Sequence, residues 1–227
     1  MEKIGKKWLS CWLYVMVAVT GIIIGVTICK WTQWTLQDKL FAAATALLPL
    51  HVLEEWYFPG GFHTMYNLMA KSDCPDRYPM NQMSDMFTNL IGVLFGCIVL
   101  IVGVSPFFCV MQLFLCCAEV FGHFSGGIFL KKTFKGKGKR TIYSPGMFTT
   151  VCGYIPIAAG IIVSFFVQEA PALSAFLLAV VCGMVLGALS LNAPEKLLKS
   201  TQTPYGFSWG DGYLTKYMNG ESNIDLR

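Results

Sequence analysis

Two acid–histidine pairs in the chain have the spacing of ligands on one face of a helix: His51 with Glu55, and Glu119 with His123. Each pair is separated by one helical turn. Both lie inside apolar runs, where an ionised side chain costs about 2.5–3.5 kcal/mol near a bilayer centre, so such groups imply a use. Two imidazoles with carboxylates beside them suit zinc, which takes nitrogen and oxygen ligands tetrahedrally and leaves one position to water in catalytic sites. Soluble H-E-x-x-H enzymes follow the same logic with a different residue order. His51, Glu55 and His123 are therefore the expected metal ligands, and Glu119 is a fourth ligand or a base. Glu54 is turned about 100° from Glu55 on the same helix and is the first choice of base for the metal-bound water. Two irons or manganese in a carboxylate-rich site are the alternative to zinc, although three acids and two histidines are few for it.

These residues have to be positioned by membrane helices. The chain is 55% hydrophobic and 13% charged, where soluble domains carry about 25% charged residues. Long apolar runs, with no short alternating strands, predict an all-α, polytopic membrane bundle of six transmembrane helices. The runs are Cys11 to Cys29, Leu36 to Tyr57, Met83 to Val104, Phe107 to Leu130, Met147 to Gln168, and a sixth opening at Ala170-Pro171 and ending near Asn192. Pro49 should kink the second. Residues 1–192 form the transmembrane domain, with a motif-bearing core over about 40–192. Residues 193–227 form a polar tail whose Phe207, Trp209, Tyr213 and Tyr217 lie on the membrane surface or stay partly disordered. Residues 62–82 read as a polar loop, with His63 a solvated surface residue.

Fifteen of the seventeen Lys and Arg residues fall on the side that holds both termini; only Lys30 and Lys39 fall on the other. The positive-inside rule makes that side cytoplasmic, and a plasma membrane is the expected location. The basic segment from Lys131 to Arg140 serves topology and anionic headgroups. Eight of nine cysteines lie in or at the edges of apolar runs, without C-x-x-C spacing, so neither disulfides nor a thiolate zinc site is indicated. Nothing resembles a nucleic-acid face. His51, His123 and Asn89 each lie six or seven residues from the cytoplasmic ends of their runs, roughly 9–11 Å deep at 1.5 Å per residue. This shared depth argues for a single site, with Asn89 supporting the ligands.

HVLEE (residues 51–55), the later His123, and Tyr143-Ser144-Pro145-Gly146 together resemble the H-x-x-E-E, distal histidine and Y-x-P-G signature of the HXXEE family of integral membrane proteins. The resemblance covers about Leu40 to Gly146. It implies which residues matter, Tyr143 among the catalytic candidates, and is silent on the reaction. Three functions are compatible with the residues. The first is a metal-dependent hydrolase acting on a lipid or amphipathic substrate from the cytoplasmic leaflet. The second is a small transporter relaying protons or a cation. The third is a membrane subunit whose polar cluster fixes helix packing. A transporter should continue its polar groups to the far face, and the outer halves of the later helices carry few.

Overall fold

The computed structural model describes residues 2–207 and 212–218, and every described segment of regular structure is helical. Helix α1 (Glu2–Leu9) leads into α2 (Trp12–Cys29). Thr35 then opens α3 (Leu36–Trp56) with a capping box: its side chain accepts from the Asp38 N–H, and Asp38 accepts from the Thr35 N–H. After α4 (Phe62–Met69), Asn81 and Ser84 cap α5 (Gln82–Val102) in the same reciprocal way. Pro106, at the first helical position where its missing N–H costs nothing, opens α6 (Pro106–Thr133). The next span, α7 (Met147–Val167), contains a π turn at Thr150–Tyr154, immediately before Pro156. Proline cannot donate to the carbonyl four residues back, and the widened turn absorbs that break. Helix α8 (Leu173–Leu198) and the short α9 (Thr215–Met218) complete the order.

Helices α2, α5, α6, α7 and α8 are long and apolar enough to cross a membrane. Helix α3 has the length, 21 residues or about 32 Å at 1.5 Å per residue, but carries the polar residues of interest. It compensates by position. Helices α2, α5, α6 and α7 all pack against it, and twelve of its side chains are buried, His51, Glu54 and Glu55 included. Leu40 and Leu47 of α3 lie against Gly160 and Gly153 of α7, where a Cβ would come within 2.7 and 2.5 Å. These small residues admit the polar helix closely. The helical membrane bundle expected from composition is the observed one, with five helices apolar enough to cross and α3 as a sixth of spanning length, and all nine cysteines are free.

Several expectations need correction. The sixth span runs on to Leu198 rather than ending near Asn192, carried past Pro194. The segment taken as a polar loop holds α4, with Thr64, Met65, Asn67 and Leu68 buried. His63 is not solvated: it is buried and stacked on Phe207, ring centroids 3.7 Å apart. Phe207 also packs on Trp56 (5.2 Å), so this part of the tail belongs to the protein core and not to a lipid surface. Tyr213 and Tyr217 likewise pack beside Leu214 and Phe134. Trp209 lies outside the described residues.

Candidate metal centre

Helices α3 and α6 bring the two acid–histidine pairs together. The Nε2 atoms of His51 and His123 are 3.1 Å apart, and Glu55 Oε1 is 3.3 Å from each. Zinc bonds of about 2.0–2.1 Å imply tetrahedral edges of about 3.3–3.4 Å, so this triangle has the size of one face of a zinc coordination sphere. Glu119 Oε2 closes a second triangle on the same histidine edge, at 3.4 Å from His51 and 3.5 Å from His123. The other three side chains are at most 6% exposed, whereas that of Glu119 is 39% exposed, towards a cavity.

The far side of His51 determines what its Nε2 can do. His51 Nδ1 is 2.7 Å from Thr149 Oγ1, and the Thr149 hydroxyl donates to Glu54 Oε2 at 2.6 Å. The carboxylate takes the hydroxyl proton, so the threonine oxygen accepts from His51 Nδ1–H. The network thereby assigns a tautomer with the Nε2 lone pair facing Glu55 and Glu119. Three acceptors with no donor of their own require a cation or a donated proton among them, either an ion or the Nε2–H of His123.

Glu54, expected as a base beside the ligands, is turned out of the cluster. Its carboxylate also accepts from the Tyr143 hydroxyl (2.9 Å) and from the backbone N–H groups of Phe148 (2.9 Å) and Thr149 (2.8 Å). Those N–H groups are orphans of the first turn of α7, where a carboxylate is the natural partner. Tyr143, expected to reach the site, reaches Glu54 instead. Burial and the Glu54 charge hold its hydroxyl above the usual tyrosine range, so it remains a donor. The doubled glutamate thus divides its work: Glu55 faces the cluster, and Glu54 anchors the start of α7 and, through Thr149, orients His51.

The rest of the Tyr-Ser-Pro-Gly turn serves His123. Ser144 donates to the His123 carbonyl at 2.9 Å. Gly146 has φ +90° and lies against the imidazole, where a Cβ would be 2.2 Å from Cε1; both facts require glycine. Phe62 and Tyr154 pack on His123 and His51, with centroids 5.3 and 5.2 Å apart. Among the described residues, His123 Nδ1 is buried without a hydrogen-bond partner.

A cavity of about 570 Å³ opens from His51, Glu55 and Glu119 between α4, α5, α6 and α8. Asn89 lines it, as its expected depth required, and donates to Asp85 Oδ1 at 3.1 Å. Asp85 is a site residue that the sequence reading missed. It is buried, lines the same cavity and accepts from the Trp56 indole N–H. Its signal was available, since Asp85 precedes Asn89 by one turn on a single stripe. Tyr66, also in the wall, donates to Glu195 at 2.7 Å; burial and that carboxylate raise its hydroxyl above the usual range.

The model of a protein family described as "Protein of unknown function with HXXEE motif" matches residues 42–161, which span every residue of the cluster and the turn that supports it. No curated protein and no solved structure matches the chain.

Proposed function

The chain belongs to the family of proteins of unknown function with an HXXEE motif, and we propose that it is a membrane-embedded, zinc-dependent hydrolase acting on an amphipathic substrate. The observation that carries this reading is the His51–Glu55–His123 triangle, whose 3.1–3.3 Å sides match a zinc coordination face while a fourth carboxylate faces a cavity. When bound, the ion supplies Lewis acidity and a water that is acidic at neutral pH. His51, Glu55 and His123 hold it. Glu119 borders both the ligands and the cavity, and it takes the proton that a hydrolysis must remove. The base role first given to Glu54 passes to it, because Glu54 already accepts four hydrogen bonds.

Against a transporter stands the far end of the site. A smaller cavity of about 110 Å³ continues past Glu119 along Thr45, Gln112 and Ser190. At that end Phe95, which lines it, meets Phe41 and Phe108 edge to face, with centroids 6.5 and 6.2 Å apart, an apolar surround that disfavours a polar path. A hydrolase needs only the one entrance.

Metal analysis of the purified protein tests the proposal. One divalent ion per chain is expected, with His123→Ala empty and Cys117→Ala, an exposed position on α6, still loaded. Protein that carries no ion and takes up none at neutral pH, where imidazoles are free to ligate, refutes it. The lysine and arginine distribution supports cytoplasmic termini. Cys74, between α4 and α5, should then react with a membrane-impermeant thiol reagent only from the cytoplasmic side. Labelling of intact cells from outside would reverse the orientation.

A further inference from the structure

The cavity beside the cluster has a shape and a charge that together narrow its ligand. Ala118 and Phe121 of α6 and Met184 and Ala188 of α8 both line it and are exposed on the outside of the bundle. Its opening therefore includes the side of the bundle, between two membrane-crossing helices, and Met69 of α4, also exposed, marks its loop-side edge. A ligand entering from the side comes from the hydrocarbon. At about 30 Å³ for a group the size of a water or a methylene, 570 Å³ holds on the order of nineteen such groups, enough for one long chain with a small head. Phenylalanine and methionine side chains dominate the walls, and the charged groups gather at the end nearest His51.

That end carries more acids than bases, His51 being the basic side chain among the described lining residues. Glu55, Asp85 and Glu119 all line the cavity, and among the described residues no Lys or Arg does. A divalent ion among the ligands offsets Glu55 and Glu119 and leaves Asp85. Among the described residues the donors to the Asp85 side chain are neutral, the Trp56 indole and the Asn89 amide, although the residue is 3% exposed. A buried carboxylate facing a cavity with neutral hydrogen-bond donors is matched by a cation from the ligand, whereas an anionic head beside Asp85 would find no Lys or Arg of the lining to offset it. We propose that the cavity takes a single-chain amphipath with an ammonium head, drawn in sideways from the bilayer, with the ammonium on Asp85. The charge count rests on the ion proposed above; the cavity, its side opening and the lone Asp85 do not.

The test is equilibrium binding of radiolabelled hexadecylamine to the purified protein in nanodiscs, competed by hexadecanol and by hexadecyl phosphate, with metal content read on the same samples. The amine should bind about tenfold more tightly than the alcohol, the difference between a charge-assisted and a neutral hydrogen bond. The phosphate should compete least. Asp85→Asn, which keeps an acceptor for Trp56, should bring the amine down to the alcohol. Gly187 lines the cavity, and a Cβ there would be 3.7 Å from Leu115, an ordinary contact. Gly187→Leu should weaken both ligands without loss of metal. Equal binding of amine and alcohol, stronger competition by the phosphate, or an amine preference that survives Asp85→Asn overturns the proposal. So does amine binding indifferent to Gly187→Leu. Absent metal with the amine preference intact would remove the hydrolase reading and leave this one standing.

Discussion

Replacing Thr149 by valine removes one oxygen and keeps the shape of the side chain, so it isolates the link between Glu54 and His51. In the native protein the Thr149 hydroxyl accepts from His51 Nδ1–H at 2.7 Å and donates to Glu54 Oε2 at 2.6 Å. Valine leaves the imidazole N–H buried without an acceptor, a loss of about 1–3 kcal/mol. Glu54 keeps three donors, so the start of α7 should hold. The imidazole can recover its hydrogen bond only by moving its proton to Nε2, and that removes the lone pair a metal needs. Groups that orient a ligating histidine typically contribute about 10–100-fold in metal affinity, or about 1.4–2.7 kcal/mol, and the two magnitudes agree. Zinc affinity, measured by competition with a chromophoric chelator, should therefore fall by one to two orders of magnitude in Thr149→Val and return in Thr149→Ser. A merely structural role would not discriminate serine from valine. Affinity within twofold of the native protein in Thr149→Val, or no recovery with serine, would refute the assignment of the tautomer.

Two other variants probe the site's surroundings. Gly146→Ala combines a φ of +90° with a Cβ 2.2 Å from the His123 ring, and loss of bound metal together with about 1–3 kcal/mol of stability is expected; purification with and without zinc, followed by thermal unfolding, reads both. His63 gives a pH effect. Burial lowers its pKa from 6.5 to about 3, so between those values the unfolded chain binds a proton that the native protein refuses. Stability contributed by this site is complete above pH 6.5 and falls as the pH drops towards 3, by up to about 1.4 kcal/mol per pH unit. His63→Phe, stacked on Phe207 with no polar atom to bury, should flatten the stability profile in that window; an unchanged profile would mean His63 does not set it.

Much of the site was legible because helical periodicity operates on residue identity alone. Four residues apart on one helix means one face, and the common depth of His51, His123 and Asn89 followed from counting to the ends of apolar runs. What could not be read was direction across the bundle. Glu54 and Glu55 are chemically identical, and only the packing of α7 decides that Glu54 meets two backbone N–H groups while Glu55 meets two imidazoles. Asp85 was overlooked because an acid in the first turn of a helix ordinarily serves the helix dipole; here it turns inwards to Trp56. His63 was misread because polar neighbours suggested solvent, whereas the tail residue that covers it, Phe207, comes from 144 positions later in the chain.

The polarity of α3 also bears on how the protein enters the membrane. Of the six long helices of the bundle it alone falls short of the apolarity of an independent span, since it carries Asp38, Lys39, His51, Glu54 and Glu55. Its neighbour α2 is uniformly apolar and emerges from the ribosome first, with only a short turn between them. The partners that satisfy Glu54 and complete the surroundings of Glu55, α6, Tyr143 and the start of α7, are synthesised later. Until then Glu54 lacks all four of its donors and Glu55 has only His51 of its own helix, at about 2.5–3.5 kcal/mol each near the bilayer centre. Integration of α3 is therefore expected to be cooperative: the contacts of Thr20 and Ile23 with Ala46 favour entry as a hairpin with α2, and full neutralisation requires the later helices.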